Sequence, residues 1–195
     1  QVSAYARLIE RLERDRGIAP GSTRLICSVD SAGLVLRLPD LARSSPRLYC
    51  LIIGGADFAY DLGVDVSDEM IESLWARSYG VLVSRDAGLA PPLHAPVFRF
   101  DDVEAHHRIF GLGRQLGFQG AVALHPKQVA IIHEIFTPSQ QEIAWARQVI
   151  DRYRQAEQQG SGALTIDGEF VDIAMVKRAQ HILGYVEGGK QAAAE

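Results

Sequence analysis

Cysteine is scarce in this chain. Cys27 and Cys50 are the only two in 195 residues. Their spacing matches neither a zinc ribbon nor a CxxC redox pair, and both sit in apolar runs, LIC and YCLII. They read as buried free thiols, which argues against a disulfide framework and for a reduced, cytoplasmic compartment. Long apolar runs are lacking as well. None approaches the roughly 20 residues of a membrane helix, and no signal-peptide pattern is seen. There is no basic block, and the formal net charge is −4. The long-range field therefore gives no reason to expect nucleic acid or an anionic membrane as partner. No G-x-S-x-G elbow, Walker loop or G-x-G-x-x-G occurs; Gly111-Leu112-Gly113 lies inside a helical run with no strand before it. His133 lacks any acid–His spacing for zinc.

What is present is ordinary globular composition, 47% hydrophobic and 23% charged, at a length suited to one or two domains. Residues 3 to 16 space Tyr5, Leu8, Ile9 and Leu12 along one helical face, ended by Gly17 and Pro20-Gly21. Apolar strands are predicted at 24–29, 48–53, 96–100 and 120–124. Between them lie a short helix over 34–43 and an amphipathic stretch over 68–83, in which Met70, Ile71, Leu74 and Trp75 share a face. A loop follows over 85–96, then a helix over 102–116 in which His106 and His107 read as solvated. Thr137-Pro138-Ser139-Gln140 opens another helix, with Thr137 as N-cap and Gln140 as its capping-box partner. Residues 157–163 read as a linker, LTIDGEFVD as a hairpin around Asp167-Gly168, and 171–183 as a last helix before a frayed tail.

Apolar strands alternating with helices indicate a parallel sheet covered by helices. Functional groups in such folds gather at the carboxyl ends of the strands. Those ends read Asp30, Gly54-Gly55-Ala56-Asp57, Asp101-Asp102 and His125. Carboxylates at neighbouring strand mouths can share a hard cation such as magnesium, which takes oxygen ligands and keeps waters. Two glycines at 54 and 55 let backbone N–H groups come close to a ligand. Each feature also has a plainer reading. Asp30 and Asp57 could cap the helices that follow them, and His125 could be a hydrogen-bonded turn residue.

The runs GGADFAYDLG, LGFQGAVALHPKQVAIIHEIFTPSQQEIAWARQVI and DGEFVDIAMVKRAQHIL, in that order, resemble the citrate lyase β-subunit-like family of the HpcH/HpaI aldolase superfamily. Its members include malyl-CoA, citramalyl-CoA and citryl-CoA lyases. The resemblance covers nearly the whole chain. It implies an α/β fold, a TIM (β/α)8 barrel, with this chain supplying roughly the second half (residues 1–156) and a C-terminal extension (157–195) that packs on a neighbouring subunit. It further implies that Asp57 is a magnesium ligand. The family's other metal motif, I-E-T-A, reads Val29-Asp30-Ser31-Ala32 here, so Asp30 takes the place of a glutamate one methylene longer. Ala56 stands where the family often has a second acid. Asp172 matches a family aspartate that reaches into a neighbour's active site, and it could equally cap residues 173–183.

The expected activity is therefore that of a magnesium-dependent carbon–carbon lyase. It would cleave a 3-hydroxyacyl-CoA thioester to acetyl-CoA and an α-oxo acid, with Mg2+ on Asp30 and Asp57. Backbone at Gly55 and Ala56 would hold the oxo acid, and Asp172 would move the proton. A homo-oligomer, trimer or hexamer, is implied as well. Because the family's first half carries an arginine that grips the oxo acid, an N-terminal portion before Gln1 is expected. Two alternatives stand beside this: an aldolase or thioesterase of the same superfamily, and a non-catalytic assembly subunit.

Overall fold

Four parallel strands form one sheet in the order β1 (Leu25–Val29), β2 (Leu48–Ile53), β3 (Leu93–His94) and β4 (Gly120–Ala121). Every neighbour in space is the next strand in sequence, and each parallel connection carries a helical crossover. That topology is the one expected of half a β/α barrel. In the computed structural model, residues 1–158, 164–166 and 169–192 are described. They fall into two compact units, Gln1–Phe136 and Thr137–Glu195.

In the first unit, α1 (Val2–Arg16) ends where Gly17 adopts φ 67°, a left-handed conformation that glycine reaches at no steric cost. Two short helices, α2 (Ala32–Val35) and α3 (Leu38–Ala42), replace the single helix expected over 34–43. Pro39 opens the second of them. Strand β2 has the predicted bounds, with Leu51 and Ile53 fully buried. It leads through Gly54-Gly55 into α4 (Ala56–Asp61).

The stretch over 68–83 departs from expectation. Met70 takes φ 53°, a 3₁₀ turn spans Ile71–Ser73, and α5 runs from Leu74 to Asp86. The left-handed residue breaks the helical register. Met70 is buried while Ile71 and Trp75 are exposed, so these residues do not share a face. The buried side of α5 instead carries Ala76, Arg77, Gly80, Val83 and Ser84. A Cβ on Gly80 would lie 1.8 Å from Cδ1 of Ile53, so the missing side chain sets how closely α5 packs on the sheet.

The third strand also lies elsewhere than predicted. Residues 96–100 form a loop, with Phe98, Arg99 and Phe100 exposed. The strand is Leu93–His94, in register with Ile52–Ile53 on one side and Gly120–Ala121 on the other. Pro96 has no N–H to give a sheet ladder, so pairing stops before it. Next, α6 (Val103–Leu116) is capped by Asp102, whose Oδ1 accepts from the Ala105 N–H, and ends at Gly117 with φ 107°. Helix α7 (Pro126–Phe136) starts directly after His125.

The second unit holds α8 (Gln140–Gln158), the antiparallel pair β5 (Leu164–Ile166) and β6 (Glu169–Val171), and α9 (Ile173–Ala192). Helix α8 belongs with this unit by its packing, around Ala146, Val149, Val171, Val176 and Ala179. Its capping box is Ser139 with Glu142. The Ser139 N–H donates to Oε2 of Glu142 at 2.7 Å, and the Glu142 N–H donates to Oγ of Ser139 at 3.2 Å. The expected pair, Thr137 and Gln140, lies two residues too early. The last helix runs beyond the predicted end at 183. The expected turn at Asp167-Gly168 and most of the expected linker lie outside the described residues.

Candidate functional site at the carboxyl ends of the strands

Strands β1 and β2 pair in parallel up to Val29 and Ile53, so the residues just beyond them emerge at the same sheet edge. Asp30 is the first residue past β1. It is half-buried, and its Oδ1 accepts the Ser28 hydroxyl at 2.6 Å. The cap of α2 is Ser31, whose side chain accepts from the Leu34 N–H. Asp30 is thus left with one oxygen beyond its bond to Ser28. From α4, Asp61 reaches back to accept the Ala32 N–H at 2.8 Å, tying the two strand ends together.

Beyond β2 the chain turns through Gly54 (φ 90°) and Gly55 (φ 114°). A side chain is strained in that region, and neighbours close the space as well. A Cβ on Gly54 would meet the Arg77 stem at 3.4 Å, and one on Gly55 would meet Cβ of Ala95 at 3.1 Å. Gly55 occupies the N-cap position of α4, and no side chain caps this helix. Asp57 sits in its first turn and is exposed. It is therefore not the cap. It lines a cleft of about 500 Å³ together with Ala56, Tyr60, Met70, Arg99 and Arg108.

Beneath the glycine turn lies a cation that the sequence patterns do not flag. Arg77 is fully buried. One guanidinium nitrogen donates to the Met70 carbonyl at 3.0 Å, and the other faces Nε2 of His94 at 3.0 Å. His94 Nδ1 lies 2.7 Å from the Ala95 carbonyl. A carbonyl can only accept, so Nδ1 carries the proton and Nε2 accepts from Arg77. His94 is consequently neutral. Burial, with a smaller push from the Arg77 charge, brings its pKa down to about 4 against the hydrogen bond to Ala95. Burial likewise pulls Arg77 below the usual arginine range, with Glu72 opposing.

A second buried network holds the other strand ends. His106, read from sequence as solvated, is fully buried, and so is Gln128 on α7. The Gln128 carbonyl oxygen accepts from the N–H groups of Leu124 and His125 at 2.7 and 3.0 Å. Its amide nitrogen donates to the Val97 carbonyl and to Nε2 of His106, each at 2.8 Å. Every hydrogen-bonding capacity of the amide is used. His125 itself stacks on Phe100 with centroids 4.6 Å apart. The helical spacing that would reveal His106 is visible in sequence, since it shares a face with Ile109, Phe110 and Gly113. Its polar label hides that.

Asp172, in the second unit, accepts the N–H groups of Ala174 and Met175 at 2.9 and 3.2 Å and so caps α9. Among the described residues no group of three or more His, Cys, Asp or Glu is placed to hold a metal. The candidate donors at the sheet edge are the pair Asp30 and Asp57. No helix among the described residues is long and apolar enough to cross a membrane.

Known proteins resemble this chain in sequence and in fold. The chain is 32% identical over 204 residues to L-malyl-CoA/beta-methylmalyl-CoA lyase of Cereibacter sphaeroides, covering 95% of this chain and 63% of that protein. It is 28% identical over 181 residues to citrate lyase subunit beta of Haemophilus influenzae, covering 93% of this chain and 62% of the relative. The chain therefore spans about three fifths of the length of these relatives. Among solved structures, a citrate lyase from Burkholderia xenovorans superposes with a TM-score of 0.80 at 20% identity, over 97% of this chain and 60% of its own. RipC from Yersinia pestis superposes with a TM-score of 0.59 at 31% identity, over 71% of this chain and 62% of its own. Residues 1–126 match the domain described as HpcH/HpaI aldolase/citrate lyase, and the chain belongs to that family.

Proposed function

We propose that this chain carries the metal-binding half of a carbon–carbon lyase acting on a 3-hydroxyacyl-CoA thioester. The observation that carries the reading is Asp57. It projects from an uncapped helical turn, behind two left-handed glycines, into a cleft at the mouth of a parallel sheet. Its relatives are named as citrate lyase and malyl-CoA lyase, and a similar fold has been solved with magnesium, acetoacetate and coenzyme A.

Magnesium suits the donors present. Asp30 and Asp57 are hard oxygen ligands on adjacent strand ends, and an ion that keeps several waters does not need a third protein carboxylate. Bound there, it would supply positive charge to stabilise oxygen as negative charge develops on it. The protein's own groups do the rest. Backbone N–H groups at Gly55 and Ala56 orient the oxo-acid carboxylate. The substrate hydroxyl loses its proton as its oxygen becomes the oxo group. The bond to the carbon next to the thioester breaks, and that carbon takes up a proton to leave as acetyl-CoA. Asp172 of a neighbouring copy in a homo-oligomer moves the proton.

Calorimetric titration with magnesium tests this directly, and acetyl-CoA release measured against cleavage of free hydroxy acids separates a CoA lyase from an aldolase. Absence of binding at millimolar magnesium would sink the lyase reading. The second reading is a non-catalytic assembly subunit. The Ser28 bond already engaging Asp30 favours it, since that bond competes with a metal for the carboxylate.

A further inference from the structure

Asp30 and Asp57 can share one ion only if the turn that carries Asp30 keeps a fixed separation from the helix that carries Asp57. Aspartate has a short side chain, so its backbone decides where the carboxylate lies. Magnesium is strict about that placement, because it demands near-octahedral ligands at about 2.0–2.1 Å.

Little else holds the Asp30 turn. Among the described residues β1 is an edge strand, paired with β2 alone, and the pairing ends at Val29 and Ile53. The helix that follows Asp30, α2, has four residues, too few to be stable by itself. Ala32 is its first residue, and an N–H at that position has no partner inside its own helix.

Asp61 supplies the partner. Its Oδ2 accepts the Ala32 N–H at 2.8 Å, across 29 residues of sequence. Asp61 is the last residue of α4, and Asp57 is in the first turn of the same helix. Four residues separate them, so both carboxylates lie on one side of α4, about one turn apart. One short helix therefore carries one candidate ligand and grips the turn of the other. The Asp61 side chain is exposed, and among the described residues its carboxylate has no other hydrogen bond or ion pair. The Ser28 hydroxyl, 2.6 Å from Oδ1 of Asp30, turns that carboxylate, while Asp61 fixes the backbone beneath it.

We propose that Asp61 is a positioning residue for the metal pair. By holding the Ala32 N–H it fixes the Asp30 turn against α4, and so sets the distance between Asp30 and Asp57. It acts through the backbone and not as a ligand. This rests on the magnesium reading above.

Calorimetric titration of magnesium into the wild type, D61A and D61N tests the role. Alanine removes both the charge and the acceptor. Asparagine removes the charge and keeps an oxygen that can accept the Ala32 N–H. Loss of a group that orients a metal ligand costs about 10- to 100-fold in affinity. A bond at an exposed site falls at the lower end, so D61A should bind magnesium about 10-fold more weakly than the wild type. An exposed charge screened by salt is worth about threefold or less, so D61N should stay within that range of the wild type. Circular dichroism and melting should be nearly unchanged in both variants, which separates weaker binding from loss of fold. In the metal-free protein the Ala32 N–H should exchange faster in D61A and not in D61N. Equal affinity in the wild type and D61A overturns the assignment. So does an equal loss in D61A and D61N, which would make Asp61 a source of charge alone. No magnesium binding by the wild type removes the metal reading, and the positioning role with it. Wild-type binding with either of the first two results removes the positioning role alone.

Discussion

Replacing Gln128 with methionine keeps the length and shape of the side chain and removes four hydrogen bonds. The magnitude follows from where each partner lies. Leu124 is 52% exposed and His125 is half-buried, so their N–H groups recover water and contribute little. The Val97 carbonyl and Nε2 of His106 belong to buried residues and are left without a partner. An orphaned buried group costs about 1–3 kcal/mol, so the two together cost about 2–6 kcal/mol. The gain from burying a thioether in place of an amide lowers the net toward the bottom of that range. Urea unfolding followed by circular dichroism measures the loss. Hydrogen exchange locates it, with faster exchange expected first near Leu124 and His125 at the start of α7. A loss under about 1 kcal/mol would refute the reasoning. It would mean that the network is not rigid, or that water enters a site that is closed here.

Asp57→Asn removes a charge from an exposed first-turn position, where the helix dipole is worth about 0.3–1 kcal/mol. Melting should move by a few degrees at most while magnesium binding and turnover vanish; a large melting shift with surviving activity would show that Asp57 is structural. Glu13 is held down to about 2 from 4.5, chiefly by its bond to Arg47 and then by the Gly21 N–H. Its stabilisation is therefore complete above pH 4.5 and drains away as pH falls toward 2. Urea midpoints across that window should fall more steeply in the wild type than in Glu13→Gln. His94 is also depressed, from 6.5 to about 4, so its neutral burial stabilises the fold above pH 6.5 and the benefit is lost between there and pH 4. An imidazole NMR titration that gave a midpoint near 6.5 would contradict the buried, Arg77-accepting tautomer.

Legibility from sequence tracked how local each feature is. Strand β2 was readable with its bounds because six residues of LYCLII are apolar enough to be buried with little help. The glycine stops at Gly17 and Gly117 obey rules that span a single turn. By contrast, PVFRF has a strand's composition and is a loop. The true strand is two residues of an interval rich in proline, chosen because Leu93 and His94 fall in register between β2 and β4. Arg77 and His106 carry polar labels yet are fully buried, because each finds partners on elements distant in sequence.

The sequence alone therefore determined the alternation of strands and helices, the family, and Asp57 as a strand-end acid, since periodicity, turn glycines and motif order are properties of neighbouring residues. Only the tertiary structure decided that Asp57 is not a helix cap, that Arg77 and His94 pack beneath its turn, and that Arg99 and Arg108 share its cleft. Those facts depend on which distant side chains meet, and on which polar groups burial forces to find one another.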